Sequence, residues 1–201
     1  MALIDDINNL PTAVSDGIPG HLNNHQVIHA ALKDHAARMG PTHFVGTGSP
    51  EGVVAATLGD EYTDQTAAYG AIKWLKATDA WRTGWRVVEG DTGWRDVTSL
   101  MPSPPEGGSI SIRRVPHALY LQTRWLNTGM NGFTIETGNQ WSPAGNSGGD
   151  LFDAGGNRSG YFRYTYAGRL DVIKVNSNSL DGMSILIPTN TWPTSYIGTP
   201  V

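Results

Sequence analysis

The chain has 201 residues, of which 39% are hydrophobic and 16% charged, with 25 glycines, 12 prolines, no cysteine and a formal net charge of −4. That length suits one domain with an appendage or two small modules, and the low charge density with many turn formers favours short strands over a helical bundle. The lack of cysteine excludes disulfides and thiolate metal sites, and a weakly acidic chain whose one adjacent basic pair is Arg113-Arg114 excludes a dedicated nucleic-acid binder.

Residues 1–22 carry no apolar periodicity and hold Pro11, Gly17, Pro19 and Gly20, so they read as an extended docking arm ordered against a partner. Acids stand where a signal peptide would be positive, and no apolar run approaches a membrane span. Synthesis in a cytoplasm, with no membrane span, is expected. Over 23–40 the pattern turns helical: Asn23 is placed to cap, Gln26 follows three residues on, and Gly40-Pro41 ends the run. Apolar spacing of three and four gives a seam of His25, Ile28, Leu32, His35 and Met39, as in helices that associate with one another. A helix of about sixteen residues is marginal alone in water, so association is expected while the number of copies stays open.

From 41 to 100 the texture becomes β-like, with short runs over 52–64, 70–77, 84–89 and 93–100 bounded by Gly, Asp and Thr. Such a module has little core of its own. Within it Thr-Gly-Trp-Arg occurs twice, at Thr83–Arg86 and Thr92–Arg95. Each glycine reads as a turn and each tryptophan as a strand residue burying its ring, with the arginines stacking on aromatic faces or pairing with Glu89, Asp91 or Asp96. A glycan-binding platform is the alternative. Residues 101–108, MPSPPEGG, read as a stiff linker. Beyond it, β-like runs over 109–115, 117–127, 132–137, 159–168, 169–176 and 183–189, with clear alternation in HALYLQTRWL and RLDVIKV, predict a β-sandwich or jelly roll over 109–201.

Chemistry-bearing patterns are few. Gly145-Asn146-Ser147-Gly148-Gly149 has the form of a nucleophile elbow, but a Pro-Ala-Gly turn precedes it and no histidine follows His117, so it reads as a glycine-rich loop. His21, His25 and His29 have the four-residue spacing with which one helix face can share a metal, and are the metal candidates. Imidazoles that merely pad a polar seam are the plainer reading. Asp150, Asp153 and Asn157 have the flavour of a calcium loop, for which a turn is the plainer account. No cofactor motif occurs, and no cofactor is expected.

Taken in order, Gly48–Val54 (GSPEGVV), Gly59–Asp64 (GDEYTD), Gly70–Ala77 (GAIKWLKA), Thr83–Val88 (TGWRVV) and Gly90–Arg95 (GDTGWR) follow a Pro19-Gly20-His21 step and a His-rich helix. This series, spanning residues 18–100, resembles the minor tail and tail-fibre proteins of long-tailed phages infecting actinobacteria. The resemblance implies a virion structural protein, trimeric, non-enzymatic and mainly β. Its arm (1–22) would dock on other virion proteins, the 23–40 helix would trimerise as a short coiled coil, and 41–100 would form a stalk or collar. The β-sandwich of 109–201 would face a host cell-surface glycan or wall polymer. In a trimer, His25 or His35 from three chains could ring the axis around an ion or water. Trp125, Trp141, Tyr161, Tyr166 and Trp192 are the candidate sugar-stacking rings. Two other readings stay open: an architectural protein that decorates a capsid or closes a tail tip, and a cell-wall glycan hydrolase.

Overall fold

A computed structural model describes residues 26–33, 40–176 and 178–201. The chain divides into two compact units, Met1–Thr42 and His43–Val201. In the first, residues 26–33 are α-helical, and Val27, Ile28 and Leu32 are 67%, 56% and 41% exposed. Of the expected helical seam, His25, His35 and Met39 lie outside the described residues, as do residues 1–22 of the expected docking arm. Among the described residues no helix is long and apolar enough to cross a membrane.

The second unit is mainly β, with short 3-10 turns at Ala68–Gly70, Thr98–Leu100 and Asn139–Trp141. Its smaller sheet has the order β1-β2-β3-β4, with β1 (His43–Gly46) parallel to β2 (Glu61–Asp64), followed by antiparallel β3 (Ala71–Lys76) and β4 (Trp85–Gly90). Alternation buries Tyr62, Trp74, Trp85 and Val87 on one face, where Phe44 and Val54 pack against them. This core is not closed by its own strands: Trp192, from far along the chain, completes it. Lys76 is fully buried beneath the Trp85 ring and donates to the carbonyls of Ala80 and Thr83, which is how its charge is tolerated inside.

The two Thr-Gly-Trp-Arg copies share a local geometry and then part. Gly84 and Gly93 both take a left-handed turn, at φ of 87° and 67°, ahead of a strand. Trp85 is buried in the smaller core, whereas Trp94 is half-buried and tilts against Tyr120. Arg95 stacks on Tyr196, 4.5 Å from the ring, and donates to the carbonyls of Ile197 and Gly198. The copies are therefore scaffold, and they serve different sheets.

The larger sheet curls on itself. It comprises β5 (Arg95–Asp96), β6 (Gly107–Val115), β7 (Ala118–Asn127), β8 (Gly132–Glu136), β9 (Ser147–Phe152), β10 (Arg158–Tyr164), β11 (Arg169–Lys174), β12 (Leu180–Leu186) and β13 (Thr199–Pro200). Their order is β13-β5-β6-β7-β12-β9-β10-β11-β8, and the β12–β9 link is the single pair Asp181 and Phe152. Both halves bury side chains into one core: Ile110, Ile112, Leu119 and Leu121 from one, Phe133, Ile135, Phe162 and Val172 from the other. Residues 101–108 do not separate two bodies. Met101 is buried in this larger core, β6 begins at Gly107, and β5, expected in the stalk module, pairs with β6 and β13.

Arg114 sits at the centre of this arrangement with 2% exposure. It donates to the carbonyls of Gln140 and Thr189, and its guanidinium faces the Trp192 ring at 5.4 Å. Burial lowers its pKa to about 10, and the nearby Tyr164 works the other way. A buried cation held by carbonyls thus ties the 188–192 segment to β6.

Candidate functional site

The four strands β9, β10, β11 and β8 turn Leu151, Phe162, Tyr164, Leu170, Val172, Phe133 and Ile135 inward, so the intervening residues face out. Strand register sets one outward row across the sheet: Gly148, Arg163, Asp171 and Thr134 are successive neighbours. Asp171 is only 8% exposed because the side chains around it cover it. Thr134 Oγ1 donates to its carboxylate at 2.7 Å, Arg169 Nε at 2.9 Å and Arg163 Nη2 at 3.5 Å. Burial opposes the Asp171 charge, but the Thr134 hydroxyl and Arg169 outweigh it and hold the carboxyl below its ordinary value. The same hydrogen bond raises the pKa of Arg169.

Beside this row opens a cavity of about 550 Å³. Asn146, Ser147 and Gly148 form one wall, Arg163, Tyr164 and Thr165 another, and Arg169 and Asp171 the remainder. Ser147, the serine of the elbow-like motif, lies in strand β9, and its hydroxyl donates to the Gly145 carbonyl at 3.3 Å.

Tyr166 stands on the β10–β11 turn next to Thr165, with 66% of its surface exposed. Its backbone is fixed from both sides: its N–H donates to Asn146 Oδ1 at 3.4 Å, and Ser142 Oγ donates to its carbonyl at 2.7 Å. Gly168 closes the turn at φ +85°, with Gly138 so near that a Cβ would fall 2.2 Å from the Gly138 carbonyl carbon. A rigid turn therefore holds an uncovered ring one residue from the cavity wall.

The other candidate rings are placed differently. Trp141 and Trp192 are corrections: they are 1% and 6% exposed, and their indole N–H groups donate to the carbonyls of Ser195 and Tyr69. Both rings belong to the cores and offer no face for stacking. Tyr161 is half-buried on the outward face of β10, with the Arg158 guanidinium 5.6 Å from its ring. Trp125 is 63% exposed at a bulge in β7, with a left-handed φ of 51°. Among the described residues no ring contact joins any two of the five, so they do not form one aromatic surface.

The calcium-like segment is a turn. Asp153 Oδ1 accepts from the N–H groups of Gly155 and Asn157, its Oδ2 accepts from Asn178, and Asp150 pairs with Arg158 at 2.7 Å. Among the described residues no group of His, Asp or Glu is arranged to hold a metal. Of the histidine candidates, His21 and His25 lie outside the described residues, and His29 is half-buried in the helical stretch.

Arg163, Arg169 and Asp171 were not among the sequence candidates. Their signal is the run GYFRYTYAGRLDV: a hairpin turning at 165–168 sets Arg163 opposite Asp171 and brings Arg169 back to the same face. A comparison with known protein families, curated proteins and solved structures finds no match to this chain.

Proposed function

We propose that this chain is a non-enzymatic structural protein of a phage virion, a trimeric minor tail, tail-fibre or baseplate component that attaches the particle to a host-surface glycan. The observation that carries the attachment role is Tyr166: a ring 66% exposed, on a backbone pinned by Asn146 and Ser142, beside an open cavity lined in part by Asn146, Ser147 and Arg163. Sugar-binding sites need such a fixed aromatic face flanked by hydrogen-bonding groups. Support for the virion role comes from the ordered motifs between Gly48 and Arg95 and their resemblance to tail-fibre proteins. The exposed Val27, Ile28 and Leu32 of the helical stretch favour association of several copies through a short coiled coil. In this reading the nine-stranded sheet is a jelly-roll-like sandwich presenting the Tyr166 turn outward, and the arm of residues 1–22 docks on the particle.

The test is saturable binding of the purified full chain to envelopes from a panel of actinobacteria, compared with Tyr166→Ala. Binding to some envelopes, reduced at least tenfold in the variant, is the expected result. No binding to any envelope removes the attachment role. A second reading, an architectural particle protein without a receptor, is favoured by the exposed Met183 and Ile185 of β12 and Ile187 just beyond its end (58%, 62% and 77%). Immunogold location of the chain on the particle, away from the tail tip and fibres, would select it.

A further inference from the structure

The geometry points to an acidic saccharide as the ligand of this cavity, a sugar ring carrying a carboxylate or phosphate group whose charge is taken by Arg163 with help from Arg169. This inference rests on the attachment reading and narrows it to one ligand chemistry.

Two guanidinium groups line the cavity against one carboxylate, Asp171. Arg163 makes a single long contact to it at 3.5 Å and keeps 67% of its side chain exposed. Arg169 uses Nε on Asp171 and a 3.5 Å contact to Thr134, with 55% of its side chain exposed. Most N–H donors of both forks are therefore uncommitted at the cavity. Planar guanidinium forks match carboxylate and phosphate oxygens in pairs, and such charge-assisted bonds are the strong ones. Asp171 is too enclosed to serve as the ligand's partner and instead fixes where the two cations stand.

The rest of the cavity suits a sugar. Gly148, the strand neighbour of Arg163, carries no side chain, so the space over the β9–β10 pair is open. Ser147, Thr165 and Asn146 offer hydroxyl and amide groups at the rim, and Tyr166 stands beside it. A volume of about 550 Å³ lies within the roughly 300–1,000 Å³ of small-ligand sites. Glu136 is the neighbouring acid, in register with Arg169 on β8 but outside the cavity wall, and it weakens the local positive potential.

The experiment measures binding of the full chain to three polymers: a uronic-acid polysaccharide, its carboxyl-reduced neutral form, and poly(glycerol phosphate). At least one anionic polymer is expected to bind roughly tenfold or more tightly than the neutral form, more weakly as salt rises; which one binds identifies the charged group. Arg163→Gln should lose about tenfold in that affinity, with a melting temperature within about 2 °C of the parent because the residue is exposed. Glu136→Gln should tighten binding about twofold, an effect that a purely structural ion-pair cluster would not produce. Equal binding of neutral and anionic polymers, or unchanged affinity in Arg163→Gln, overturns the inference while attachment stands. Failure to bind any polymer and any envelope overturns both.

Discussion

Replacing Trp192 by alanine separates two roles that the same ring could have. If Trp192 were a surface platform for sugars, its removal would leave stability within about 0.5 kcal/mol of the parent. The structure instead places it at 6% exposure, packed with Tyr62, Trp74 and Trp85, with its N–H on the Tyr69 carbonyl at 3.0 Å. Truncating a buried tryptophan costs about 3–5 kcal/mol through lost transfer energy and the cavity left behind. The Tyr69 carbonyl and the Arg114 guanidinium also lose a partner, which adds about 1 kcal/mol. For a unit of this size each kcal/mol moves the melting temperature by about 2–4 °C, so a fall of roughly 8–24 °C is expected. Because this one ring closes the smaller core from the far end of the chain, the loss should appear as one cooperative transition of His43–Val201 moving down. Differential scanning calorimetry is the assay. A shift under about 2 °C, or a split into two transitions with only one displaced, would refute the reasoning that the smaller sheet depends on Trp192.

Other outcomes follow from single sites. Trp125→Asn should stabilise the chain by about 0.5–1 kcal/mol in urea unfolding, since asparagine tolerates the left-handed φ of 51° better than tryptophan and little packing is lost at an exposed site; clear destabilisation would show that the ring holds the bulge. Asp64 is 2% exposed and accepts hydrogen bonds from the N–H groups of Gly48, Thr66 and Ala68 and from the Thr66 hydroxyl. Burial opposes its charge, but these bonds together hold its pKa below the ordinary 3.8. Its contribution is therefore present above pH 3.8 and lost as pH falls through the lower folded value. Asp64→Asn should cost about 2 kcal/mol at neutral pH, with the gap to the parent closing below pH 3.8; a gap that is constant down to pH 2 would contradict this. Native mass spectrometry of the full chain should give three times the 21.6 kDa chain mass, and a single-chain mass at micromolar concentration would remove the trimer.

Much of the strand pattern was legible because alternation in LYLQTRWL and RLDVIKV directly reports which residues face a core. β7, β8 and β11 fall within the expected runs, while β6, β10 and β12 overlap theirs and begin one to three residues earlier. β9 was not legible: SGGDLF has glycines where alternation would show, because inward Gly149 lies against the Phe162 ring and outward Gly148 against the Phe162 carbonyl. β1 was hidden by its brevity, and the apparent strand over 52–57 is turn and extended backbone tied to Trp81 and Arg82. The linker reading of 101–108 rested on proline content, which fixes backbone angles but says nothing about burial; Met101 decided the matter. Among the candidate rings, aromatic composition near glycines could not tell core from surface. Trp141 and Trp192 are consumed by long-range hydrogen bonds to Ser195 and Tyr69 that no local pattern encodes. The Arg163–Asp171 pairing was available from hairpin register, once the turn at 165–168 was placed.

Hydrogen-exchange mapping of the full chain, with and without an envelope glycan that binds it, addresses the attachment site most directly. Protection confined to residues 146–148 and 163–171, on the walls of the Arg163 cavity and the Tyr166 turn, is the outcome this account requires. Protection along β12 around Met183 and Ile185, or no change anywhere in His43–Val201 while the glycan is bound, would contradict it.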